Sequence, residues 1–163
     1  PVCRCLTSKV KCAFNIHTSI FYQGISRLVR HDVRASGRGG RVDPAARRVD
    51  TDQISDLEEC AEEMVRTARV GDLTEFMRMD REFDRQLGQI ARNAFAARAV
   101  APLRAHCRRF WYRYRNNGDL TASAQLHSEL MRAVADGKQQ EAEACSDKLI
   151  DYLDSFTRAA LDL

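Results

Sequence analysis

The 163-residue chain has no apolar run long enough to span a bilayer, and no basic start followed by an apolar block of the kind that marks export. Those absences set the expectation of a soluble, cytoplasmic protein with no membrane partner. It also lacks any sustained alternation of polar and apolar residues, so strands are not expected. A phosphate-cradling loop, a dinucleotide fingerprint and a nucleophile placed beside a base are all missing, which leaves no catalytic residue to nominate and no enzyme to expect. Aromatic residues make up only 7%, but the 44% hydrophobic content is enough for one ordinary domain with a real core.

Six cysteines are present, and Cys60, Cys107 and Cys145 fall on apolar helical positions where a small thiol packs well. They read as core residues of a reducing compartment. Cys3, Cys5, Cys12 and His17 match the spacing of no common zinc finger. Charge divides the chain more sharply. Residues 1–50 hold 10 Lys/Arg against 3 Asp/Glu, whereas residues 51–163 hold 16 against 20.

From Thr51 onward, apolar residues recur every three or four positions with helix start and stop signals between the runs. A first helix carries Ile54, Leu57, Ala61, Met64, Val65 and Ala68 and stops at Gly71. Asp72-Leu-Thr-Glu75 reads as a capping box opening a second helix with Leu73, Phe76, Phe83, Leu87 and Ile90. Asn93 caps a third, with Ala96, Ala99, Val100, Leu103, Cys107, Phe110 and Tyr114 inward and Pro102 within it; Asn116-Asn-Gly118 closes it. A fourth spans Thr121 to Asp136, with His127, Leu130, Met131 and Val134 on one face. A fifth runs from Lys138 to the C-terminus through Ala142, Cys145, Leu149, Tyr152, Phe156 and Ala159. Short connections between long amphipathic helices imply an all-α, antiparallel helical bundle over residues 51–163.

Residues 1–50 show only one possible helical stripe, Phe14 to Val33, followed by the basic segment Arg34-Ala-Ser-Gly-Arg-Gly-Gly-Arg41. That tail would attract nucleic acid only non-specifically, because nothing in it reads bases.

One feature of the second helix breaks the apolar pattern. Asp80 lies between Phe76 and Phe83 on the inward stripe, and Asp84 follows one turn later. Two buried acids repel and are costly to desolvate unless they are protonated, reached by Arg104 or Arg108, or bridged by a metal cation. His127, inward on the fourth helix, would complete a carboxylate and imidazole set suited to Zn, Mn, Ni or Fe. A plainer arrangement turns Asp84 to solvent, pairs Asp80 with an arginine and leaves His127 as a satisfied core histidine. Arg104 and Arg108 flank inward positions of the third helix, and their guanidinium groups would bind an organic acid through paired hydrogen bonds.

The order Asp80-x-x-Phe83-Asp84, Leu87, Ile90, Asn93, then an arginine-rich helix, then His127-x-x-Leu130-x-x-Ala133-Val134 and a glycine turn resembles the FCD effector-binding domain of GntR/FadR-type bacterial transcription regulators. The resemblance covers about residues 51–163. It implies a homodimeric, FCD-like bundle that senses a small organic acid, with Arg104, Arg108, Asp80 and His127 as effector-binding residues. Metal-binding members use one Asp and three His, which carried over fall at Asp80, Asp84, His127 and Leu149. Position 84 holds Asp where the family commonly has His, and Leu149 cannot ligate. The resemblance therefore implies at most a reduced divalent site for Zn, Ni or Mn at Asp80, Asp84 and His127, completed by water or an effector carboxylate.

Such regulators join this bundle to a winged-helix reader of operator DNA. Residues 1–50 offer neither the length nor a helix-turn-helix followed by a β-ribbon, so the reader is expected to be missing from this chain. Two other readings remain: a carboxylate metalloprotein with enzymatic chemistry at Asp80, Asp84 and His127, and a dimerisation module without a ligand.

Overall fold

The computed structural model describes residues 51–90 and 94–161. The suggested helix over Phe14 to Val33, the basic segment after it and Asn93 lie outside those residues, as do the side chains of Ala96, Val100 and Leu103. The described residues form five helices: α1 (Thr51–Arg69), α2 (Leu73–Ile90), α3 (Ala94–Tyr114), α4 (Leu120–Ala135) and α5 (Gln139–Leu161), with a 3-10 turn at Arg115–Asn117. No strand occurs among them, as the missing alternation predicted.

The punctuation explains where the helices stop. Gly71 and Gly137 adopt φ of 72° and 67°, the left-handed conformation that costs a Cβ-bearing residue most. Each closes a Schellman motif. Gly71 N–H donates to the Ala68 carbonyl and Asp72 N–H to that of Thr67, while Gly137 donates to Val134 and Lys138 to Ala133. Only half of the expected capping box forms at α2. Asp72 Oδ1 accepts from the Glu75 amide at 3.0 Å, but the Asp72 amide is already given to Thr67, and the Glu75 carboxylate pairs with Arg78 instead. Helix α4 starts one residue earlier than expected because Asp119 caps it, accepting from the Thr121 and Ala122 amides.

Three-residue turns fold α1 back on α2 and α4 back on α5, while the most extensive contact joins α1 to α4, elements far apart in the chain. Leu57, Ala61 and Met64 of α1 meet Leu130 and Met131 in a fully enclosed core. Burying side chains of this size contributes about 1.5–3 kcal/mol each. Two positions expected to face inward, Ala99 and Ala159, are exposed. Trp111 and Leu153 take up the inward role instead, and Trp111 stacks on Phe156 with ring centroids 4.9 Å apart. Helix α3 packs chiefly on α2 and is the least embraced of the five.

The turn into α4 is held by Tyr152 of α5, whose hydroxyl donates to the Asp119 carbonyl at 2.7 Å and accepts from the Asp119 amide at 3.0 Å. Gly118 beside it has an extended backbone open to any residue, so its glycine is a matter of space. A Cβ there would lie 2.9 Å from Trp111 Cζ2 and 3.0 Å from the Phe156 ring. Gly118→Ala is expected to destabilise the fold by about 1–3 kcal/mol through overpacking, measured by denaturant unfolding.

Candidate functional site

Helix periodicity places Asp80 and Asp84 of α2 on one face, and Arg104 and Arg108 of α3 one turn apart on the face opposite. The structure brings all four together with His127 of α4 around one partly open cavity of about 60 Å³. Arg108 Nη1 donates to Asp80 Oδ2 at 3.0 Å and to Asp84 Oδ2 at 2.6 Å. Arg104 Nε lies 3.0 Å from Asp84 Oδ1, and its Nη1 donates to the Asp84 carbonyl at 2.9 Å. Asp84 is therefore turned inward, between two guanidinium groups.

His127 is buried and doubly oriented. Its Nδ1 lies 2.7 Å from the Ser123 carbonyl, which can only accept, so Nδ1 carries a proton; Nε2 faces Asp80 Oδ1 at 3.4 Å. The edges of Phe76 and Phe83 close on the imidazole at 87° and 83°. Leu149 is buried in the cavity wall and supplies no donor.

The electrostatics separate the two acids. Burial works against ionised Asp80, yet its contacts with His127 and Arg108 prevail and hold its carboxyl below the ordinary range. Burial, and then the neighbouring Asp80 charge, push Asp84 up to about 6 in spite of Arg104 and Arg108. For His127 burial opposes the charged form, but the bond to Asp80 outweighs it and raises the pKa above the usual imidazole value. Cys107, also in the wall, has its thiol pushed up to about 12 by burial and by both aspartates, so it carries no thiolate at neutral pH.

In this arrangement the donors do not fit a resident metal. The space between the carboxylates is taken by Arg108 Nη1, and among the described residues no group of three or more His, Cys, Asp or Glu is arranged to hold an ion. Sequence reasoning did not single out Ser123, Ser146 or Thr157, which also line the cavity, nor give Trp111 a place there. Ser123 sits one turn before His127 and Trp111 one turn after Arg108, a spacing that would have flagged both.

The raised pKa of Asp84 has a fixed sign. A carboxyl whose folded value, about 6, lies above its unfolded value, 3.8, favours the fold while protonated, and that contribution is lost as pH rises through about 6. Asp84→Asn should accordingly remove a loss of stability that wild type shows between about pH 4 and 6. Asp80→Asn should act oppositely, removing stability present above pH 3.8. Denaturant unfolding across that pH range checks both.

Comparison with characterised proteins and with solved structures returned no significant match. A family model does match, that of the FCD domain, over residues 42–152. The match holds the acid pair, both arginines and His127, and it spans more than half of the chain. By that match the chain belongs to the FCD family, the C-terminal effector-binding domain of GntR/FadR-type transcription regulators.

Proposed function

We propose that this domain senses a small organic acid in the cavity between α2, α3, α4 and α5, and that it works in the cytoplasm as a homodimer coupled to a reader of operator DNA. The observation that carries the reading is the use Arg108 makes of its guanidinium. One nitrogen, Nη1, satisfies both aspartates, while Nε and Nη2, the edge that matches a carboxylate side-on, have no partner among the described residues. Two arginines and a readily protonated histidine face two acids, one of which holds its proton up to about pH 6. Below about pH 6, where Asp84 keeps its proton, the two arginines outnumber the remaining carboxylate and the cluster favours an anion. The cavity has room for on the order of four waters, the scale of an acid of a few carbons.

The same cluster is the polar attachment of α3 to its neighbour α2. An effector carboxylate that takes the free edge of Arg108 alters the charge balance holding α3 against α2. A ligand that binds one placement of α3 better than another shifts the population toward it, and in a dimer this shift is read as a change in the spacing of attached DNA readers. No helix among the described residues is long and apolar enough to cross a membrane.

A thermal-shift panel of short organic acids, from acetate and lactate to malonate and citrate, tests the sensing. At least one should raise the melting temperature. Arg108→Gln should weaken that acid by roughly 10- to 150-fold, the equivalent of about 1.5–3 kcal/mol for a charge-assisted hydrogen bond. No stabilisation by any acid would overturn the reading, and a monomer in sedimentation at working concentration would overturn the dimer.

A further inference from the structure

The acid pair raises a question apart from the effector: which cation balances it. Arg108 Nη1 is within 3.0 Å of one carboxylate and 2.6 Å of the other, a position between two oxygens that a divalent ion would otherwise take. A third candidate ligand stands beside the pair, on the other oxygen of Asp80. Two ligands of a tetrahedral ion with bonds of about 2.1 Å lie roughly 3.4 Å apart, and His127 Nε2 is 3.4 Å from Asp80 Oδ1. The proton on His127 Nδ1 is committed to the Ser123 carbonyl at 2.7 Å, which presents Nε2 to the site in the way that a backbone acceptor orients a metal-binding imidazole.

We propose that Arg108 is the built-in cation of this pocket: its Nη1 takes the point between Asp80 Oδ2 and Asp84 Oδ2, with His127 on the other Asp80 oxygen, so the wild-type domain takes no divalent metal, and vacating that point lets the three residues bind one. Arg104 meets Asp84 from another side, with Nε 3.0 Å from Oδ1 and Nη1 donating to the Asp84 carbonyl. Loss of Arg108 removes the nitrogen that Asp84 Oδ2 and Asp80 Oδ2 share, and a divalent ion in its place restores a positive charge between them. Water would complete the coordination, because Leu149 offers no donor. The inference does not depend on the effector being an acid, since it concerns only the chain's own groups.

The test is calorimetric titration of untagged protein with Ni²⁺ and with Zn²⁺, beside elemental analysis of the protein as purified. Wild type should bind neither ion at this site, and its melting temperature should not move with either. Arg108→Met should bind one ion per chain, at least about a hundredfold more tightly than wild type, and gain thermal stability from it. Adding Asp80→Asn to Arg108→Met should reduce that affinity by at least about tenfold. Stoichiometric metal on wild type that is lost with Asp80→Asn would overturn the proposal, as would an Arg108→Met protein that folds and binds no ion. If Arg108→Met does not fold, recovery of its fold by Ni²⁺ or Zn²⁺ supports the proposal. Without recovery, Arg108→Ala, which also vacates the point and leaves room for water, takes its place under the same two outcomes.

Discussion

The arrangement turns on one nitrogen of Arg108 placed between two carboxylates of the same helix. Two unit charges about 4 Å apart at an effective dielectric of about 20 interact by about 4 kcal/mol, a repulsion that Asp80 and Asp84 would bring to α2 if left alone in the interior. The guanidinium converts that repulsion into two charge-assisted hydrogen bonds and ties α3 to α2 in the same step. Arg104 adds a second tie through the Asp84 side chain and carbonyl.

From that constraint follow the shape and polarity of the cavity. Ion pairs to α2 and the Trp111–Phe156 stack on α5 hold helix α3 in place. Where it rests defines a space walled by aromatic and aliphatic side chains and lined at one point by cationic donors. The tight approach of Gly118 to Trp111 and Phe156, with Tyr152 fastening the turn, fixes the far end of α3 on α5. Helix α3 is thus held by packing at one end and by polar contacts at the pocket.

Much of this was legible in the chain. The stripe of α1, the stops at Gly71 and Gly137, and the inward positions of Asp80, His127 and Leu149 all follow from the 3.6-residue period and from glycine's access to positive φ. The motif order from Asp80 to the glycine turn carried the family resemblance that the match over residues 42–152 then showed. Local competition was not legible. The Asp72 amide could bond Glu75 or Thr67, and the Schellman geometry gives it to Thr67. Nor did the period choose between Ala99 and Trp111 on α3, because a helix that packs mainly on one neighbour buries a narrow stripe, and the larger ring gains more from burial.

The sequence by itself determined the five helices of the described residues, most of their starts to within a residue, and the presence of two acids, two arginines and a histidine on faces that must meet, because periodicity and capping are local chemistry. It left open whether a proton, an arginine or a metal would balance the acids, since all three satisfy the same pattern. Tertiary structure set which arginine meets them. The approach of α3 to α2 brings the Arg108 guanidinium between the carboxylates and turns Asp84 inward, and no spacing along one helix specifies the distance to a side chain on another.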